Sequence, residues 1–295
     1  MSALERSEPA RHDVEQYYDS RIAEKLRDFT GRLPRIEAAF ETIADWAPAA
    51  PHRVLEIGCG VGATSWRMAR AWPDAEVVGV DLSPSSIEVA NTCFQRPNLR
   101  YRAGQLAECD LAGAFDLIVL MDVYEHIARS ERPSFHAVLR RLLSPESRLL
   151  LMVPTPAHQD FLRANDPAGL QPVDEDIHPA DIQRLAADIG ARLLAYREIG
   201  VWRYGDYFHA VLGKTRVMAD VALRRPKPSR IAALKLAAKR LLGRAPPAAE
   251  ALSDYLGPDL LKPATHKAAT RFDVSDAERR RLVAAWTARA AGARV

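Results

Sequence analysis

The chain has 295 residues, 48% of them hydrophobic and 27% charged. These proportions exclude a wholly disordered polymer and supply ample material for a core. No apolar run approaches the roughly 20 residues that span a bilayer, and the five-residue run Leu149 to Val153 stops at Pro154. The net charge of +3 is modest but unevenly placed: residues 214–295 carry 18 basic and 7 acidic side chains, whereas residues 1–213 carry 23 and 31. Two segments of opposite sign suggest two roles. Cys59, Cys93 and Cys109 are odd in number and widely spaced. That pattern fits a reducing, cytoplasmic setting and gives no support to a disulfide framework or a cysteine-rich zinc site. The polar N-terminus lacks the apolar middle of a signal peptide.

In chain order, Val14–Phe29 and Arg35–Trp46 have apolar residues at three- and four-residue steps and read as helices separated by Pro34. Arg53–Ile57 reads as a strand, Ala63–Ala71 as a helix and Glu76–Val80 as a strand. Pro84–Phe94 is a predicted helix, with Ser83 as N-cap and Pro84 at its first position. Strands follow at Leu99–Arg102 and Phe115–Met121, then a helix at Pro133–Leu143, a strand at Arg148–Val153 and a helix at Pro179–Ile189. Arg192–Ile199 and Tyr207–Leu212 close the series as strands with no helix between them, which predicts an antiparallel hairpin. Alternating strands and helices imply an α/β, doubly wound, mostly parallel sheet. The pattern divides the chain into an N-terminal helical lid (1–50), a central α/β domain (51–215) and a basic, mainly helical C-terminal extension (216–295).

The segment VLEIGCGVGATS places Gly58, Gly60 and Gly62 between a strand and a helix, where glycine permits a tight turn and close approach of a ligand to bare backbone. Gly58, Gly60 and Ala63 also fit the dinucleotide fingerprint, so a nicotinamide oxidoreductase is one reading. Asp81 stands at the end of the next strand, 19 residues after Gly62, where a carboxylate can accept hydrogen bonds from ribose hydroxyls. Glu56 discriminates between the readings. A carboxylate two residues before Gly58 would repel a pyrophosphate but suits a ligand bearing a sulfonium and an ammonium.

The run E-x-G-x-G-x-G followed by a strand-end Asp resembles the class I S-adenosylmethionine-dependent methyltransferases, over about residues 50–215. The resemblance implies a Rossmann-like, seven-stranded sheet and S-adenosylmethionine as cofactor. It implies that Glu56, Gly58, Gly60 and Gly62 wrap the amino-acid half of that cofactor, that Asp81 holds its ribose, and that Leu82 lies beside its adenine. The segment RAGQLAE then puts Gly104, Gln105 and Leu106 at the adenine edge, with Gln105 where many members have Asp, and the fourth strand delivers Met121.

After that strand, Asp122, Glu125 and His126 would share one face if a helical turn followed. Ubiquinone-pathway O-methyltransferases have a similar acidic-x-x-E-H run associated with a metal. The same residues serve equally as packed, hydrogen-bonded neighbours of the cofactor, and no metal is expected here. His126 is a candidate base for a substrate hydroxyl. The long connection from Pro154 to Pro179, read as a loop, adds His158 as a substrate contact and His178 as a second candidate base. Trp202 and Tyr204, near the hairpin, are placed to stack on a substrate ring, and Tyr17 and Tyr18 are lid candidates.

Ser229–Arg244 patterns as an amphipathic basic helix, suited to an anionic membrane surface or to packing on the acidic domain as a lid or dimer arm. Nucleic-acid binding is not expected, since no binding motif is present. The sequence therefore reads as a cytoplasmic methyltransferase acting on a hydroxyl, or less favourably an amine, of a small molecule. A sugar, a glycan or another hydroxylated metabolite would fit. A nicotinamide oxidoreductase and a non-catalytic cofactor-binding scaffold are the competing classes.

Overall fold

The computed structural model describes residues 11–214 and 269–292. Three helices lead: α1 (Arg11–Ser20), α2 (Ile22–Gly31) and α3 (Pro34–Trp46). The predicted helix over 14–29 is thus broken at Arg21, whose N–H reaches back three residues to the Tyr18 carbonyl (3.0 Å). The Arg21 side chain pairs with Glu24 (2.6 Å) and the Tyr17 hydroxyl (3.1 Å). The α/β region follows as β1 (Arg53–Ile57), α4 (Ala63–Ala71), β2 (Glu76–Asp81), α5 (Pro84–Cys93), β3 (Leu99–Ala103) and β4 (Phe115–Met121). It continues with α6 (Arg132–Leu142), β5 (Leu143–Pro154), α7 (Pro156–Asn165), α8 (Pro179–Asp188), β6 (Arg192–Ile199) and β7 (Tyr207–Gly213).

The seven strands form one sheet in the order β3-β2-β1-β4-β5-β7-β6. The pairs from β3 through β5 are parallel, and β7 runs antiparallel to both β5 and β6. The predicted hairpin is present, with β7 slotted between β5 and the edge strand β6. Alternate residues of each central strand face opposite layers. Val54, Val77, Val119 and Met152 pack with Phe40, Ile43, Met68 and Val89 of α3, α4 and α5. Leu55, Val78, Ile118 and Leu151 pack with Leu139, Leu142, Ile182 and Leu185 of α6 and α8. Both faces are therefore dry, which explains the near-continuous apolar runs of β1, β2 and β4.

The connection between β5 and α8 is not one loop. Thr155 accepts the His158 N–H at 3.3 Å and Pro156 occupies the first helical position, so α7 forms there. Ser83 and Pro84 start α5 by the same means, Ser83 Oγ accepting from Ser86 N–H at 2.9 Å.

The C-terminal reading also changes. Residues 269–292 belong to the same compact unit as the sheet, and the predicted Ser229–Arg244 helix lies outside the described residues. A short turn places Phe272 against Phe40 and Trp72. The final helix, α9 (Asp276–Gly292), brings in Arg279, which is 1% exposed. Its guanidinium donates to the Phe29 carbonyl (2.6 Å), the Val274 carbonyl (3.2 Å) and Glu37 (3.3 Å). Arg67 of α4 forks the same Glu37 carboxylate at 2.8 and 3.0 Å. One acidic side chain of α3 is thus clamped between α4 and α9. Among the described residues, no helix is long and apolar enough to cross a membrane.

His209 of β7 is buried against Thr42 of α3, their polar atoms 2.6 Å apart. Burial, helped by Arg197, lowers its pKa to about 4. The unfolded chain binds that proton near pH 6.5, so acid favours unfolding through this group. Between pH 6.5 and 4 it should remove about 3 kcal/mol of stability. Denaturant midpoints of the native chain and of His209→Gln across that interval should show the slope shrinking in the variant.

Candidate active site

The site lies at the carboxyl ends of β1, β2 and β4, where an open parallel sheet leaves a crevice. Gly58, Gly60 and Gly62 all have positive φ, at 73°, 51° and 86°. The turn is pinned by backbone: Gly58 and Cys59 N–H groups donate to the Val80 carbonyl at 2.8 and 3.0 Å. Asp81 completes it, its Oδ2 accepting from Gly60 N–H at 2.6 Å and its Oδ1 from Ser83 N–H at 2.9 Å. Burial raises the Asp81 pKa, while these two donors and the Lys25 charge pull against that rise.

A cavity of about 240 Å³ opens beside this turn. One wall carries Gly58, Gly60, Asp81, Leu82, Gly104, Gln105 and Leu106, and another Met121, Asp122 and His126. Tyr18 and Lys25, from the N-terminal helices, line it as well. Sequence reasoning missed Lys25. It also missed Glu131, Ser134, Phe135 and Val138, which line the cavity from the start of α6. Their i, i+3, i+4, i+7 spacing was a usable signal for one helix face.

A second cavity of about 90 Å³ shares Lys25, Gly58, Gly60 and Met121 with the first and reaches Glu56, Glu37, Arg35, Arg67 and Arg279. Glu56 lines this smaller space and not the larger one. It is fully shielded from solvent and hydrogen-bonded to the Ser65 hydroxyl. Burial, reinforced by Asp81, raises its pKa to about 8 against the pull of Ser65.

The remaining expected residues divide. Gly62 lines neither cavity. A Cβ there would meet the Tyr101 hydroxyl at 2.6 Å and the Ala90 methyl at 2.7 Å, so this glycine serves close packing. At Gly60 no described residue beyond its two chain neighbours lies within 4 Å of that position, which leaves open space for a ligand. Asp122, Glu125 and His126 do not share a helix face. Asp122 has φ of 52° and pairs with Arg35, and a 3₁₀ turn over Tyr124–His126 replaces the expected α-helical turn. Among the described residues, no cluster is arranged to hold a metal ion.

His126 lines the larger cavity and is held from behind. Its Nδ1 lies 2.7 Å from the Val173 carbonyl and 3.1 Å from Asp174. A carbonyl can only accept, so Nδ1 carries the proton and the lone pair of the neutral ring sits on Nε2. That Nε2 is buried without a hydrogen-bond partner. Burial opposes the charged ring, but the Glu125 and Asp174 carboxylates outweigh it and raise the His126 pKa.

His178 is an exposed residue at the start of α8, its N–H donating to Asp181 at 2.9 Å, and it lies away from both cavities. Tyr17 also lines neither, its hydroxyl being engaged by Arg21. His158 stacks on Trp202 (6.3 Å) and tilts against Tyr207 (5.8 Å), two rings that also touch each other, and it lines neither cavity. Trp202 is 51% exposed and Tyr204 fully so, on a turn held by Asp206, which accepts the N–H groups of Val201, Trp202 and Arg203 at 2.8, 2.8 and 2.9 Å.

Residues 54–146 match the methyltransferase-domain family. This stretch of the chain is a class I S-adenosylmethionine-dependent methyltransferase domain. The chain is 38% identical over 112 residues to the ubiquinone biosynthesis O-methyltransferase of Mesorhizobium japonicum, covering 37% of this chain and 41% of that protein. It is 29% identical over 206 residues to the trans-aconitate 2-methyltransferase of Methylobacterium radiotolerans, covering 64% and 71%. It thus spans about two fifths of the length of relatives such as the first. The fold matches magnesium protoporphyrin IX methyltransferase of Synechocystis PCC 6803, a structure with bound S-adenosylhomocysteine, at a TM-score of 0.54 and 21% identity, over 68% of this chain and 98% of that one.

Two of the three glycines of the turn, Gly60 and Gly62, separate by experiment. Gly62→Ala should cost roughly 1–3 kcal/mol of stability through overpacking and backbone strain. Gly60→Ala should instead weaken S-adenosylhomocysteine binding more than it lowers the melting temperature. Thermal melts paired with calorimetric titrations check both.

Proposed function

We propose that the protein transfers a methyl group from S-adenosylmethionine to a hydroxyl of a small, hydroxylated metabolite. The observation that carries this reading is the pairing of a buried carboxyl, Glu56, with a half-buried one, Asp81, around one glycine turn. Asp81 stands where ribose hydroxyls can donate to it, and Glu56 lies just behind the turn. A pyrophosphate would have to sit against Glu56, whereas a cationic amino-acid tail is welcomed there. The residues fit the cofactor in other respects too: Gly60 leaves open space, and Leu82, Gln105 and Leu106 form a wall that mixes apolar surface with one amide.

When bound, the cofactor supplies a methyl carbon activated by its sulfonium. The chain's own work is alignment, exclusion of water and management of one proton. Tyr18 and Lys25 cover the crevice from the N-terminal side. His126 Nε2, the unprotonated nitrogen of a ring fixed by Val173 and Asp174, receives the proton of the acceptor hydroxyl. The raised His126 pKa means that this base is free in a growing fraction of molecules as pH increases.

S-adenosylhomocysteine at about 100 times its dissociation constant should stabilise the protein by roughly 2.7 kcal/mol, and NAD at the same concentration should not. The reverse ranking in thermal melts would overturn the reading. Transfer of labelled methyl from S-adenosylmethionine to a panel of hydroxylated metabolites then tests the chemistry. The cofactor's affinity should also depend on pH. A cationic tail beside Glu56 favours the ionised carboxyl, so binding releases a proton and tightens as pH rises from 6 towards 8. Calorimetry in buffers of different ionisation enthalpy should detect that proton, and Glu56→Gln should abolish its release.

A further inference from the structure

Ten buried polar side-chain atoms of the described residues have no hydrogen-bond partner. Four are donors, on Trp72, Arg96, Arg132 and Arg271. The other six all belong to the segments that follow β4 and β5, and two of them, Asp122 Oδ1 and His126 Nε2, are on residues that line the larger cavity. Both atoms accept. His126 Nε2 offers a lone pair because Nδ1 holds the ring proton against Val173. Glu125 Oε1, at 3.6 Å, stops short of bonding it.

Asp122 is held in place by its backbone and by one of its two oxygens. Its φ of 52° lies in the left-handed region, and its N–H donates to the Met152 carbonyl at 2.9 Å. Its Oδ2 pairs with Arg35, which leaves Oδ1 without a donor. The charge at this wall decides what can supply one. Arg35 neutralises Asp122, and burial raises the Glu125 pKa and so disfavours its ionised form. Bonding capacity is therefore present without net charge. A carboxylate would set lone pairs against lone pairs. An ammonium would lose more hydration than an already neutralised pair returns. A hydroxyl brings a donor and no charge.

We propose that the methyl acceptor presents two adjacent hydroxyls, one seated on His126 Nε2 and the other donating to Asp122 Oδ1, so that Asp122 selects for a vicinal diol. In transfer, the first hydroxyl oxygen bonds the methyl carbon, the carbon–sulfur bond breaks with its electron pair left on sulfur, and the proton passes to His126. The second hydroxyl keeps its proton and serves recognition alone. This inference rests on the reading above, that methyl goes to a hydroxyl, and narrows it. A saccharide-like ring and a phenolic ring can both carry such a diol.

The test offers labelled S-adenosylmethionine and matched probes to the native protein: methyl glucoside and myo-inositol against their monodeoxy forms, catechol against phenol, and trans-aconitate as an anion. At least one diol should be labelled, and its analogue without the neighbouring hydroxyl should fall about 10- to 100-fold in kcat/KM. The diol that is labelled identifies the ring type. Asp122→Gly keeps the backbone conformation and deletes the acceptor, so it should bring diol and analogue within about threefold of each other. Asp122→Asn retains an acceptor oxygen and should keep most of the preference. A purely structural role would lower both probes alike and leave their ratio unchanged, which would overturn the assignment. So would a calorimetric loss of S-adenosylhomocysteine affinity in Asp122→Gly, since that would place Asp122 on the cofactor. Labelling of single hydroxyls as readily as diols would remove the diol while leaving hydroxyl transfer intact. Labelling of trans-aconitate alone, or of no probe, would remove both.

Discussion

The hydrogen bond from Gly60 N–H to the Asp81 carboxylate, 2.6 Å long, ties the tip of the glycine turn to the end of the neighbouring strand. Everything built at this edge of the sheet depends on that bond. The turn needs positive φ at three glycines and offers few side chains to hold it. Its shape is therefore set from outside, by Asp81 and by the Val80 carbonyl, which takes two further N–H groups. The side chain proposed to meet a ribose is thus also the brace that keeps the turn in place. On that proposal, binding and architecture share one carboxylate, and neither can be altered alone.

Around this brace the protein concentrates charge that water does not reach. Glu56, Glu125, Arg67 and Arg279 are each at most 2% exposed. The arginines are satisfied by Glu37 and by the carbonyls of Phe29, Phe272 and Val274. Glu125 and His126 retain unpartnered polar atoms. Of these two, His126 lines the larger cavity, so its free ring nitrogen is bonding capacity held beside the crevice.

Most of the sheet was legible from periodicity, because its strands are short apolar runs punctuated by caps, prolines and glycines. Asp81 and the glycine turn were legible because their spacing along the chain is itself the geometry of one β-α-β unit. The errors arose where local pattern and tertiary placement part company. Gly62 belongs to the motif but contacts Tyr101, since the turn has a packed side as well as an open one. α7 was hidden by composition: the prolines and acidic residues of 154–179 read as a loop, although Thr155 and Pro156 form a sound helix start. His178 and His126 are equally plausible as bases in one dimension. They differ in the fold: His178 is exposed, whereas His126 is held by the Val173 carbonyl, which arrives from 47 residues away. Lys25 carries no signal in sequence, because its place at both cavities is set by how α2 packs over the sheet edge.

The clamp at Arg279 has a consequence for how the molecule comes to be made. The carbonyl at the end of α2 finds its guanidinium donor 250 residues downstream. At about 5–20 residues per second, a ribosome needs roughly 10–50 s to supply that donor after Phe29. Throughout that interval the leading helices lack the contact that seats them. The crevice they roof is assembled late in biosynthesis, after the strands beneath it have emerged.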